Sequence, residues 1–232
     1  MTRTVKLGCS LAAALICLAA ELASAAPLAG VTVASGTPIG FNAASGLGAL
    51  TDGVVDDDDW LTAPWTSMGW LDAGWNLNPA ISVDTAVSQP LLTFNLGGTY
   101  AVNSVTVHYT IDHVAGDDTR NLRAPDSMSA TFSTTGVGGP FANAVVETGW
   151  DDGPDSNTTT PGVGEARSLT INLGGAVANA VELDFRTDAE WLFMSEITFD
   201  GSIVPEPAAL GLAALGCVLV GVSRRQRPRR AC

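Results

Sequence analysis

The chain has 232 residues, 46% of them hydrophobic, with 24 acidic against 11 basic side chains and a formal charge of −13. So acidic a protein repels nucleic acid and anionic headgroups and favours cations and neutral ligands, which sets nucleic-acid binding aside. The four cysteines, Cys9, Cys17, Cys217 and Cys232, crowd the two ends, so the domain between has no disulfide, thiol nucleophile or cysteine-ligated metal.

Arg3 and Lys6 precede an apolar stretch over residues 7–20, and Ala23-Ser24-Ala25 supplies the small-x-small site that signal peptidase cuts. Residues 1–25 read as a signal peptide, Ala23 and Ala25 as its cleavage determinants, and Ala26 or Pro27 as the start of the mature chain. A retained N-terminal anchor is the alternative, against which the cleavage site argues. Residues 26–202 form one domain, and without the two ends the charge sharpens to 22 acids against Arg120, Arg123, Arg167 and Arg186, a formal −18.

No segment of this domain keeps a helical period for three turns. Short alternating or β-branched runs bounded by Gly, Asn, Asp and Pro recur instead, predicting strands over 30–34, 91–96, 104–111, 127–133, 144–148, 168–173, 180–186 and 192–199. Val105, Val107 and Tyr109 fall on one face and Thr106 and His108 on the other. Asn95-Leu96-Gly97-Gly98 and Asn172-Leu173-Gly174-Gly175 each close a strand with a Gly-Gly turn, through duplication or, better given their dissimilar flanks, shared turn chemistry. About eight strands without a helix predict an all-β fold, a two-sheet jelly-roll β-sandwich.

Three groups within it invite chemistry. Trp60, Trp65, Trp70 and Trp75 recur every five residues; tryptophan faces stack on sugar C–H faces, which makes Trp65, Trp70 and Trp75 candidate ligand-binding residues, although plugging the open bottom of the sandwich is the stronger account of the cluster. Trp191, beside Leu192, Phe193 and Ile197, reads as core, and Trp150 fits either role. His108 and His113 lie five apart, on opposite faces of an extended segment, and make a poor metal pair. No Gly-x-Ser-x-Gly or His-Glu-x-x-His pattern occurs. Paired carboxylates for glycoside hydrolysis are available by number alone, so the expectation is a non-enzyme. The acidic loop at residues 151–157 lacks EF-hand spacing and reads as surface.

The chain closes on Pro205-Glu206-Pro207, an apolar run of 15 residues over 208–222, and a tail containing Arg224, Arg225, Arg227, Arg229 and Arg230. As a helix the run would measure about 22 Å, short of the ~30 Å hydrocarbon core, so it enters a bilayer but spans it poorly. The arginines stay on the cytoplasmic side and leave the Pro-Glu-Pro at the opposite interface. This order, over residues 203–232, resembles the PEP-CTERM sorting signal of exported bacterial proteins. The resemblance implies that an exosortase-type membrane transpeptidase cuts near Pro205, Glu206 and Pro207, with Arg224 and Arg225 as part of the address, after a transient anchoring in the membrane through the short hydrophobic helix. A plain C-terminal anchor or a buried helix is the competing reading, and five arginines have no place in a core.

A second resemblance covers residues 45–201. Leu50-Thr51-Asp52-Gly53 with the acidic run Asp56 to Asp59 and Trp60, Leu92-Thr93-Phe94-Asn95-Leu96-Gly97 followed by Val102 to Val107, Ala124-Pro125-Asp126-Ser127-Met128, and Trp191 to Ile197 with Glu196 together resemble the galactose-binding-like jelly roll of discoidin and coagulation factor type C domains. That family's structural calcium, carried over residue by residue, implies Asp52 and Glu196 as ligands, with Asp57 next; a solvated acidic turn is the plainer account of residues 56–59. These readings converge on an exported cell-surface or extracellular-matrix protein that binds carbohydrate or another extracellular polymer. A structural surface protein without a discrete ligand is the alternative, and a glycoside hydrolase the remote one. Signal peptidase, the exosortase-type enzyme and extracellular polysaccharide are the expected partners.

Overall fold

A computed structural model describes residues 26–36, 46–55, 68–71, 90–112, 122–151, 153, 164–187 and 191–205. Eight strands appear: β1 Ala26–Pro27, β2 Thr32–Gly36, β3 Met68–Leu71, β4 Leu91–Ile111, β5 Ser127–Ser133, β6 Ala142–Glu147, β7 Glu165–Arg186 and β8 Trp191–Ile203. The helical content among the described residues is one 3₁₀ turn, Leu47–Thr51. All strand pairings are antiparallel, in the order β1-β8-β4-β7-β5-β6, with β2 added to β4 and β3 to β8.

The two long strands make a sandwich out of this one network. Residues 91–95 of β4 lie between β2 and the trailing half of β7, which continues into β5 and β6; residues 100–111 lie between the leading half of β7 and β8. The crossover falls at the two Asn-Leu-Gly-Gly segments. Between the pairs Asn95↔Ala180 and Tyr100↔Ala178, β4 loops out residues 96–99; between Val102↔Ala176 and Ser104↔Asn172, β7 loops out residues 173–175. Each loop is stitched by its asparagine, Gly97 N donating to Asn95 Oδ1 at 3.0 Å and Gly174 N to Asn172 Oδ1 at 2.8 Å. Gly97, Gly174 and Gly175 hold φ of 75°, 68° and 74°, a region only glycine enters freely. The expectation of strand-ending turns is corrected here. Pairing with neighbours on both sides resumes beyond each loop, so the segments act as bulges that bend a continuous strand.

The layers close on an apolar core. Phe94 of the first layer meets Phe199 of the second edge-on at 5.1 Å. Val105, Val107 and Tyr109 are buried on the inner face while Thr106 and His108 sit half-exposed outside, as their alternation requires. Thr106 and Thr170, opposite one another on β4 and β7, share a 2.8 Å hydroxyl hydrogen bond on that outer face. At residues 30–34 the expected strand is shifted: Gly30, at φ 76°, turns the chain, and strand pairing begins at Thr32.

Loops leave the sandwich at opposite ends. At one end lie Leu91, Ile111, Arg186 and Trp191, where strands start or stop. At the other, the domain's own ends come together, Ala26 opposite Gly201 and Val204 N donating to Thr99 O at 2.9 Å.

Candidate functional site

The 3₁₀ turn is fixed to the core by Leu50, which is fully buried, and ends on Asp52 in the right-handed helical region. Asp52 Oδ1 then accepts Val54 N at 2.9 Å, an Asx turn, and Gly53 adopts φ 84°. This geometry aims Gly53 N at the closing strand, where it donates to Glu196 Oε2 at 3.1 Å across 143 residues. Glu196 is only 3% exposed. Burial first, and the facing Asp52 carboxylate second, raise its pKa to about 7, against the pull of the Gly53 and Asp52 backbone N–H groups in the other direction.

Strand β8 is irregular at this point. Its register with β4 breaks between His108↔Glu196 and Tyr109↔Met194, leaving Ser195 as the extra residue, its Oγ buried without a hydrogen-bond partner. Beside Glu196 a cavity of about 80 Å³ is bounded by Thr51, Thr198 and the N-terminal segment from Pro27 to Val31. His108, paired with Glu196 across the strands, has its pKa lowered by burial and so is held towards the neutral form.

The Asp52–Gly53 turn is thus set against Glu196, and the Asp52 charge acts on the nearly buried Glu196 carboxyl in a junction whose hydrogen-bond donors are backbone N–H groups. Such a pair suits a hard cation in charge and in oxygen chemistry. It does not complete a shell, because no group of three or more His, Cys, Asp or Glu able to hold a metal occurs among the described residues. Asp57 lies outside the described residues.

The tryptophans divide. Trp70 sits on β3, paired with Leu192 of β8, and is completely buried. With no exposed face it cannot stack on a sugar, which corrects its candidacy as a ligand-binding residue in favour of the packing role. β3 is not among the strands expected from the sequence, because a five-residue tryptophan spacing matches neither the strand nor the helix period. Trp65 and Trp75 lie outside the described residues, as do His113, Ala23, Ala25, Glu206, Pro207, the apolar run 208–222, Arg224 and Arg225. Pro205 is exposed. Trp191 is half-buried, where core was expected, its ring 5.7 Å from that of Phe193. No helix among the described residues is long and apolar enough to cross a membrane.

A second junction was not foreseen from the sequence. Arg167 on β7, its side chain 13% exposed, forms ion pairs with Asp151 Oδ1 at 3.0 Å and Glu165 Oε2 at 3.2 Å and donates to the carbonyls of Asp151 and Gly153. Tyr109 Oη donates to the same Asp151 carbonyl at 3.1 Å. Trp150 packs between Tyr109 and Phe185 at 5.4 and 6.2 Å. Burial opposes the charge on Arg167, but the hydrogen bond to Glu165 and the charges of Glu165 and Asp151 outweigh it, so its pKa moves up. The scarcity of basic residues in the domain was the one signal that this arginine is committed.

Comparisons with known proteins bear on the whole arrangement. The family described as "Discoidin domain-containing receptor 1/2, DS-like domain" matches residues 35–201, and the PEP-CTERM protein-sorting motif matches residues 204–230. No curated protein matches the chain. Among solved structures, a family 32 carbohydrate-binding module of Clostridium perfringens in complex with galactose is 14% identical, covering 76% of this chain and 97% of its own, with a TM-score of 0.44. The C-terminal domain of a chitobiase from Bacteroides fragilis is 11% identical, covering 78% and 99%, with a TM-score of 0.42. The DS-like match spans most of the chain, which therefore belongs to the family of discoidin domain-containing receptor 1/2 DS-like domains and carries a PEP-CTERM sorting motif at its C-terminal end.

Proposed function

We propose that this is an exported protein of the cell surface or extracellular matrix, released from a transient C-terminal anchor by an exosortase-type transpeptidase, that binds extracellular carbohydrate without chemical turnover. One observation carries the reading: a DS-like domain over residues 35–201 runs directly into a sorting motif that begins at residue 204. The domain's acidity favours a neutral polymer over an anionic one. Calcium at the Asp52–Glu196 junction is part of the proposal, as a structural ion that neutralises two facing carboxylates and fixes the loop to β8.

Two measurements test it. Mass spectrometry of the exported protein should find a C-terminus near Pro207; intact Arg224 to Cys232 would overturn the sorting step. Pull-down on soluble and insoluble polysaccharides, in calcium or chelator, should show saturable binding. A folded protein that binds none of them is a structural matrix component instead.

A further inference from the structure

The end of the sandwich where Val204 meets Thr99 holds a groove distinct from the Asp52–Glu196 junction. The looped-out segment of β4 at residues 96–99 and the β5–β6 connection border an open, shallow groove of about 570 Å³ around Asn179. Its walls are set before any ligand arrives. Asn179 uses both ends of its amide on one of them, Oδ1 accepting Gly136 N at 2.7 Å and Nδ2 donating to Thr134 O at 2.9 Å. The other is held by the Asn95–Gly97 turn.

The chemistry of the lining is unusual for this domain. None of the described residues that border the groove is ionisable, although the surrounding domain carries a formal −18. What borders it are glycines, which let a ligand approach the backbone closely, together with Asn95, Thr99, Thr135, Asn179 and Val137, which is 43% exposed; the Thr135 hydroxyl is shared with Ser133 at 3.3 Å. Uncharged polar groups and exposed backbone beside a small apolar surface match a sugar ring with its hydroxyl rim and C–H face. An anionic polymer finds no counter-charge there and meets the repulsion of the domain.

Position supplies the last element. Thr99, which lines the groove, accepts Val204 N through its carbonyl at 2.9 Å, so the site lies beside the start of the sorting motif. While the chain is still anchored, a ligand here would be a polymer beside the membrane, and tethering raises the effective concentration of that polymer, so weak contacts suffice. We infer that the groove between the β4 loop and the β5–β6 connection binds a neutral glycan strand of the cell's own surface layer. The inference rests on the carbohydrate-binding reading above and assigns it a site.

The test uses the full chain in detergent and isothermal titration with neutral cello-, malto-, xylo- and galacto-oligosaccharides, with an oligogalacturonate as the anionic probe. Gly138→Trp adds bulk to the groove lining at a position where a Cβ meets nothing within 4 Å and the backbone is not left-handed. Val146→Trp, at a 64% exposed position of β6 outside the groove lining, is the control. The expected result is binding of at least one neutral oligosaccharide, weakened tenfold or more by Gly138→Trp at unchanged melting temperature and untouched by Val146→Trp. Wild-type binding that survives Gly138→Trp overturns the groove and leaves the carbohydrate reading standing. Absence of binding by the wild type to every probe overturns both, and equal affinity for the oligogalacturonate overturns the preference for a neutral ligand.

Discussion

At residues 151–153 a loop is held against the sandwich by a cation, whereas at residues 52–53 one is held by an anion. Arg167 reaches two carboxylates and two carbonyls at the first, and its charge is matched where it stands. Glu196 at the second takes a backbone N–H while facing the Asp52 carboxylate, and burial works against its ionised form. The first junction is electrostatically closed and needs nothing from solution. The second carries a charge cost that either a proton or a metal ion relieves, so dependence on pH and calcium should reside at one junction only.

The largest effect separates packing from charge. Trp70→Ala opens a cavity in the core at β3, beside its partner Leu192 on the strand that carries Glu196, and should lower stability by about 3–5 kcal/mol, read by urea unfolding. Its pH profile should keep the wild-type shape, because no charge is altered. A flattened profile would mean that β8 holds Glu196 only through Trp70.

Next comes the pH dependence itself. A carboxyl whose folded pKa is about 7 and whose ordinary value is 4.5 binds its proton more tightly when folded. Its contribution to stability is complete below pH 4.5 and is lost as pH rises through 7, to the extent of about 3 kcal/mol. His108 acts in the opposite sense over the same range, since a lowered histidine pKa adds stability as pH rises. The difference between wild type and Glu196→Gln therefore isolates the glutamate. That difference should change steadily between pH 5 and 8 in chelator and shrink in millimolar calcium. Parallel profiles in chelator would remove Glu196 as the titrating group, and indifference to calcium would remove the ion.

The contrast between the two junctions also marks what the sequence could reveal. Alternation of Val105, Val107 and Tyr109 located a buried face, since period two is a local property of a strand. Asp52 and Glu196 were singled out only by the order of family motifs around them, and the hydrogen bond from Gly53 N to Glu196 became visible only in the fold. Arg167 was not, because nothing local couples it to Asp151, 16 residues away. The Gly-Gly segments misled for a related reason. Asn-Leu-Gly-Gly builds the same Asx-stitched loop in a hairpin or in a bulge, and only pairing with β7 and β8, or with β4, decides which. Trp70 lay in a stretch without period, so its burial became visible only once β3 was placed beside β8. The groove escaped because its lining joins segments near residues 95, 135 and 179.

Breaking the cation-held junction should cost less. Arg167→Met keeps much of the apolar stem but removes two ion pairs and the hydrogen bonds to the loop carbonyls. Asp151 is 75% exposed, so its pair with Arg167 is discounted for solvent screening. A loss of about 1–2 kcal/mol is expected, most of it from the hydrogen bonds of the better-buried guanidinium. Faster amide exchange over residues 148–153, with residues 52–54 unchanged, would localise it. Added salt should weaken the wild type slightly at this junction and leave the variant unaffected. Equal loss of protection at both loops would show that the junctions are coupled, and the comparison would fail.

The smallest effect is the most discriminating. Asp52→Asn retains an Oδ1 that can accept Val54 N, so the turn survives, while the charge facing Glu196 disappears. Burial is the larger cause of the raised Glu196 pKa and Asp52 the lesser, so the substitution should move the midpoint only part of the way down and change stability by under about 1 kcal/mol. The calcium response should fall much further, because a cation loses one of its two carboxylates while burial does not change. A midpoint that drops with the calcium response intact would place the ion's ligands elsewhere. A midpoint that stays fixed would mean that burial alone sets the proton affinity of Glu196, leaving the Asp52–Gly53 loop to act through its backbone N–H groups.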